Sequence, residues 1–409
     1  MARRLASPPP WSARPAVFRY DLTELAGLDC LSAASGPIAE AQALAAGLFG
    51  ARQSFFLVNG CTAGVQAAIL ATCGEGDTLV IARNSHLSAV TGMALAGCRP
   101  RWVCPAVDEA RGVAHGVAPE SIAAALDAAS AAGERVGAVL VTSPTYFGCC
   151  SDVAALAEAC HARGVPLLVD EAHGSHLSFL PDASSPLSAV DLGADAVAQS
   201  THKTLGSLTQ SAMLHLGGGA GPPRVDAARV ESALQALQSS SPSYLLMASL
   251  DAARLTLEER GLDAFEAALG EARGARAGLE RLGCHVMGKG SVGPWDASFC
   301  SGWDPLRLSV TPPAGAVAGR ELARRLEEDY GVVPEMATHA TVVLALGIGS
   351  QAGDGERIVA AFRDILRAEG AGAGPAAGDP GGVALHESLA LVAGVLSSDA
   401  NSRVVVTPR

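Results

Sequence analysis

The chain has 409 residues, 49% hydrophobic and 17% charged, with a formal net charge of −12. That length exceeds one ordinary core and suits a large domain plus a smaller one. The acidic balance argues against a nucleic-acid partner, which would call for a basic patch. Without an apolar run of about eighteen residues free of Gly, Pro or charge, a membrane span is not expected either. Ten cysteines are scattered without a C-x-x-C pair, which fits reduced thiols and a cytoplasmic location. The arginines from Arg3 to Arg19, with no acid before Asp21, leave a plastid or other organelle as the alternative.

In chain order, residues 1–19 read as an N-terminal tail and 20–260 as the major domain. From Ser54 onward, short β-rich apolar runs alternate with Ala/Leu-rich stretches of helical period, the pattern of a mainly parallel seven-stranded sheet with helices on both faces. Strands are expected at Ser54–Val58, Thr78–Ala82, Arg101–Cys104, Gly137–Thr142, Pro166–Asp170, Ala196–Gln199 and Ser211–Leu216. Helices are expected at Thr62–Thr72, Ser88–Ala96, Pro119–Ala132 and Asp152–Arg163, then at Arg224–Gln238, Tyr244–Glu259 and Leu262–Leu282. A smaller C-terminal α+β domain follows over 261–369. Its strands are expected at His285–Met287, Arg307–Val310 and Thr341–Leu346, its helices at Val317–Tyr330 and Gly355–Ala368. Residues 370–382 are Gly/Ala/Pro-rich and read as a linker, and 383–409 as a C-terminal segment with one helix over Val383–Ser397.

Ligands in an open α/β sheet sit beyond the carboxyl ends of the strands. Asn59-Gly60-Cys61-Thr62, His86, Ser143, Asp170 and Ser200 to Lys203 all fall there. Lys203 stands 33 residues after Asp170. An amine to hold an aldehyde, a carboxylate to keep a ring nitrogen protonated and donors for a phosphate are what pyridoxal 5'-phosphate needs. Lys203, Asp170 and the Ser200/His202 pair are those chemical types. The turn Gly60-Cys61-Thr62-Ala63-Gly64 can bring backbone N–H groups to a phosphate, or it is a plain turn with Thr62 as helix cap. Asp170 could instead cap a loop, or bind a metal with Glu171 and His173, although no H-x-x-x-H pattern supports a metal and none is expected. His86 could stack on a ring and move protons, or be an ordinary surface histidine.

Several blocks then resemble one family: Asp21-Leu22-Thr23-Glu24-Leu25, Gly36-Pro37-Ile38-Ala39-Glu40, Asn59-Gly60-Cys61-Thr62, Ser143-Pro144-Thr145-Tyr146, Asp170-Glu171-Ala172-His173-Gly174-Ser175-His176, Ser200-Thr201-His202-Lys203-Thr204 and Ser243-Tyr244-Leu245-Leu246. The chain resembles the Orn/Lys/Arg decarboxylases of class I, the short arginine decarboxylase-like form, from about Tyr20 to Arg260. The resemblance implies the aminotransferase-like fold (type I) and a homodimer or higher oligomer with interface active sites. It implies Lys203 as the Schiff-base lysine, Asp170 against the pyridine nitrogen, His86 stacked on the ring and His173 flanking it. Cys61, Thr62, Ala63, Ser200 and His202 would surround the phosphate. Either His86 or Lys203 would return the proton to Cα.

The expected reaction is decarboxylation of a basic amino acid, arginine before lysine or ornithine, feeding polyamine synthesis. Asp21, Glu24, Asp29 and Glu335 are candidates for the distal cation. The alternatives are another amino-acid reaction such as aminotransfer, or a degenerate regulatory or structural homologue. Cys61 stands where the family has Ser or Thr, Gly206 where it has Pro, and Ser397–Arg409 where it has a Tyr/Pro-Pro-Gly-rich segment at the substrate entrance.

Overall fold

The computed structural model describes residues 20–180, 185–217, 221–288 and 296–372. They form two compact units. The described residues of the first lie in 20–106, 115–266 and 296–304, and those of the second in 107–114, 267–288 and 305–372.

The first unit is built on a seven-stranded sheet of β1 (Gln53–Leu57), β2 (Thr78–Ala82), β3 (Arg99–Val103), β4 (Val136–Thr142), β5 (Leu167–Asp170), β6 (Ala196–Gln199) and β7 (Ala212–Leu216), ordered β1-β7-β6-β5-β4-β2-β3. Only β7 runs antiparallel to its neighbours. The aminotransferase-like sheet expected from sequence is therefore present, each strand end within two residues of its expected position.

Its helices are α1 (Pro37–Leu48), α2 (Gly60–Thr72), α3 (Leu87–Ala96), α4 (Pro119–Ala131), α5 (Val153–His161), the single turn α6 (Thr201–Thr204), α7 (Ala227–Leu237) and α8 (Tyr244–Arg260). Strand side chains alternate between two cores, as a sheet covered on both faces requires. Leu79, Ile81, Leu140 and Leu168 join α2, α3 and α7. Val80, Val139, Val141, Leu167 and Val169 join α4 and α5 on the other face. Edge strand β1 is protected by side chains: Phe56 N–H donates to Gln42 Oε1 (2.8 Å) and Val58 N–H to Gln238 Oε1 (2.7 Å).

In the second unit, α9 (Glu266–Arg281), which starts at the boundary, is followed by a four-stranded antiparallel sheet. That sheet comprises β8 (His285–Val286), β9 (Arg307–Thr311), β10 (Met336–Ala337) and β11 (Val342–Ala345), ordered β8-β9-β11-β10. After the short α10 (Asp296–Phe299) of the first unit come α11 (Gly319–Tyr330) and α12 (Asp354–Gly372). Gly278 lets α9 and α12 touch, since a Cβ there would meet Val359 Cγ2 at 2.5 Å.

Three expectations change. The helix expected over Leu262–Leu282 is a 3-10 turn, Gly261–Ala264, followed by α9, because Gly261 at φ +51° ends α8. Helix α1 forms where none was expected. Helix α12 runs to Gly372, past the expected linker start at 370. The tail 1–19, the rest of the linker and the segment 383–409 with its helix lie outside the described residues. No described helix is long and apolar enough to cross a membrane.

Candidate active site

Because β1 runs in the same sense as the parallel strands, the carboxyl ends of β1, β2, β4, β5 and β6 share one edge of the sheet. The loops carrying Asn59 to Thr62, Arg83 to His86, Ser143 to Tyr146, Asp170 to His173 and Ser200 to Lys203 leave that edge.

Asp170 closes β5 and is buried. Its Oδ1 accepts the Ala172 N–H (3.1 Å) and the Cys61 thiol (3.8 Å), while Oδ2 takes no hydrogen bond among the described residues. Burial pushes this carboxyl up, and the nearby His86 and Lys203 oppose the shift. Thr142 on β4 is in register with Asp170, and its buried hydroxyl lacks a partner among the described residues. Each of the two groups keeps hydrogen-bonding capacity that a polar ligand could use.

Lys203 lies within the turn α6, and its Nζ lies 3.0 Å from His173 Nε2. Tyr146 packs on His173, ring centroids 4.6 Å apart and tilted by 57°. His86 caps α3: its Nδ1 accepts the Ser88 N–H (3.1 Å) and lies 2.9 Å from Ser88 Oγ, while Nε2 makes no hydrogen bond among the described residues. Neighbouring His202 is pushed down to about 4 by burial and by Lys203, so its imidazole is neutral near pH 7 and can still donate.

Gly60, at φ +72°, turns the chain into α2, and the N-cap Asn59 makes no side-chain cap bond. The first-turn N–H groups at Cys61, Thr62 and Ala63 are therefore left without a side-chain cap. Thr62 sits exposed inside that turn and is not its cap. Cys61 Sγ faces Asp170, so only its backbone N–H remains for an anion; burial first, then Asp170, keeps it a thiol. The N-cap of α6, Ser200, likewise makes no side-chain cap bond.

These residues fit pyridoxal 5'-phosphate. Asp170 Oδ2 can meet a protonated ring nitrogen, Lys203 supplies the amine, and the first turn of α2 with Thr62, Ser200 and His202 offers donors to a phosphate.

Other candidates fall elsewhere. Glu171 points away to Ser188 Oγ (2.8 Å), Ala189 N–H (2.8 Å) and Gln199 Nε2 (2.7 Å), so it does not pair with Asp170 and His173 around a metal. No group of three or more ligating side chains that could hold a metal exists among the described residues. Asp29 is occupied: its carboxylate accepts the N–H groups of Cys30, Ser35, Gly36, Ile38 and Ala39 and falls to about 2. It pins the start of α1 and has no acceptor capacity to spare for a substrate cation. Asp21 and Glu24 are exposed, and Glu335 belongs to the second unit. Cavities of about 350 and 340 Å³, one including Arg52 and Asp195 and the other Phe56 and Gln238 in their walls, contain none of the site residues.

Sequence reasoning gave no role to Tyr146 or Thr142 and overlooked a compositional signal. The chain holds only two lysines, Lys203 and Lys289. In a chain whose positive charge is nearly all arginine, that scarcity singles out Lys203 as a group whose proton can leave, which an arginine's cannot.

Fold and site together define a pyridoxal-phosphate enzyme of fold type I. A family profile described as "Orn/Lys/Arg decarboxylase, major domain" matches residues 14–299, and the chain belongs to that family. It is 36% identical over 349 residues to an arginine decarboxylase of Bacillus subtilis, covering 85% of this chain and 68% of the relative. It is 34% identical over 348 residues to one of Bacillus cereus, covering 84% and 72%. Among solved structures, lysine decarboxylase A of Pseudomonas aeruginosa superposes with a TM-score of 0.75 at 23% identity, covering 89% of this chain. The chain spans 56% of that lysine decarboxylase's length, and the likeness is one of fold.

Proposed function

We propose that the chain decarboxylates a basic amino acid, arginine before lysine or ornithine. The observation that carries this is the convergence of the Lys203 amine on His173, 3.0 Å away, with buried Asp170 keeping one oxygen free. The arginine decarboxylases at 34 to 36% identity point to the substrate.

When bound, pyridoxal phosphate supplies an electron sink for the electron pair left at Cα as CO2 departs. The protein's own part is positional and electrostatic. Asp170 holds a negative charge where the ring nitrogen must stay protonated. His173 Nε2 can take the proton that Lys203 Nζ must shed before it acts as a nucleophile. His86, held through Nδ1 by Ser88, and Lys203 are the two candidates to return a proton to Cα.

We further propose a homodimer or higher oligomer with sites at its interface, a role in polyamine supply and a cytoplasmic location, the last supported by ten free thiols. Purified protein loaded with cofactor should release CO2 and agmatine from arginine. An oxo acid product would instead indicate aminotransfer, and a bound cofactor with no turnover on any basic amino acid would count against the proposal.

A further inference from the structure

We propose that His176 and Asp304 are positioning residues, a buried pair that ties together the loops carrying Tyr146 and His173 and so keeps His173 at the Lys203 amine. His176 Nε2 lies 2.9 Å from Asp304 Oδ1, and the two side chains are 1% and 2% exposed. His176 Nδ1 makes no hydrogen bond among the described residues, and the ring lies against Phe265, centroids 6.1 Å apart. The bond to Asp304 is therefore what orients the imidazole. Burying a carboxylate and an imidazole costs free energy that their mutual bond only partly offsets, yet neither has a part in the chemistry above.

Three segments meet at this pair. His176 follows His173 by three residues in the loop that leaves β5. Asp304 donates its backbone N–H to Gly148 O (2.8 Å), two residues after Tyr146 in the loop that leaves β4. Just before it, Gly302–Trp303 pairs antiparallel with Cys149–Cys150, and Ser301 N–H donates to Cys150 O (2.8 Å). Residues 301–304 are thus bonded through their backbone to the Tyr146 loop and through the Asp304 side chain to the His173 loop. The two loops meet again at the rings of Tyr146 and His173, 4.6 Å apart, and His173 Nε2 is 3.0 Å from Lys203 Nζ. All of these residues belong to the first unit.

Without the pair, strand pairing still holds 301–304 to the Tyr146 loop, but the His173 loop loses its tie to that segment. His173 then spends less time within reach of Nζ, and Lys203 sheds its proton more slowly. This role presumes that His173 takes the Lys203 proton, and it is the same whichever amino acid is the substrate.

The test adds pyridoxal 5'-phosphate to the cofactor-free full chain and follows the rate at which the visible band of bound cofactor appears, with amide hydrogen exchange of the cofactor-free protein alongside. Asp304→Ala should slow the band about 10-fold and speed exchange across 143–150 and 171–177, while α4 and α8 stay protected. Asp304→Asn, which keeps an acceptor for His176, should restore most of the rate. Because the pair acts through His173, Asp304→Ala should slow His173→Gln no further. A band that survives in Lys203→Arg would overturn the reading of Lys203 and His173, and this role with it. Where Lys203→Arg loses the band, a wild-type rate in Asp304→Ala, a further fall on adding it to His173→Gln, or no recovery in Asp304→Asn would overturn the role of the pair alone. His176→Ala breaks the same bond from the other side; if neither alanine variant folds by circular dichroism, the pair is a support of the core and the proposal fails.

Discussion

At the scale of single residues, Lys203 and His173 carry the sharpest expectations. Lys203→Arg keeps a positive charge but removes an amine that can lose its proton, so the visible absorption of bound cofactor should vanish while the far-ultraviolet circular dichroism stays unchanged. A retained band would place the cofactor's anchor elsewhere. His173→Gln preserves size and one hydrogen bond but cannot exchange the proton held 3.0 Å away on Nζ. Turnover should drop about 100-fold with a much smaller change in cofactor affinity. An equal loss in both would make His173 a binding residue only. At this scale the residue types and their order on the strand ends were legible in the sequence. The direction of the Cys61 thiol was not, because position in a motif does not say which way a side chain of the first helical turn leans. Nor could the sequence show that Asp29 spends its carboxylate on five backbone N–H groups, which removes it from the candidates for the substrate cation.

Among the elements, α1 and β1 depend on side-chain bonds. Asp29→Ala should destabilise the protein by about 1–2 kcal/mol in urea unfolding, since it uncaps the N-terminus of α1. A change within about 0.5 kcal/mol would mean that water replaces the carboxylate without loss. The sequence hid α1 because its Ala-rich, weakly patterned stretch shows no clear polar face, and its cap lies several residues upstream in Asp29. By contrast, the seven strands were plain: short β-branched and aliphatic runs bounded by Gly, Pro and polar turns leave little ambiguity when both faces are buried. The strand pairs of two residues each, such as Val107–Asp108 with Val113–Ala114 and Cys149–Cys150 with Gly302–Trp303, carry too little sequence to show a period. They form because tertiary neighbours complete them.

For the molecule as a whole, buried ionisable groups set its dependence on pH. Burial lowers His215 to about 3, from an ordinary 6.5, and His202 to about 4. In the unfolded chain both gain a proton near 6.5 and in the folded protein only below those values, so stability is lost as pH falls from about 6.5 toward 3. Glu171 works in the opposite direction: burial raises it to about 8, and the stability it contributes below its ordinary 4.5 is lost as pH rises through about 8. Glu171→Gln should therefore remove the part of the stability decline that this group causes between about pH 4.5 and 8, read by thermal unfolding across that range. An unchanged slope over that range would show that Glu171 stays ionised in the fold.

The most direct check of the central claim is CO2 release from arginine, lysine and ornithine by the cofactor-loaded protein, with Lys203→Ala beside it. Release from arginine above the other two, accompanied by agmatine and absent from the variant, is the predicted result. Cofactor binding through Lys203 without CO2 from any of the three would contradict it.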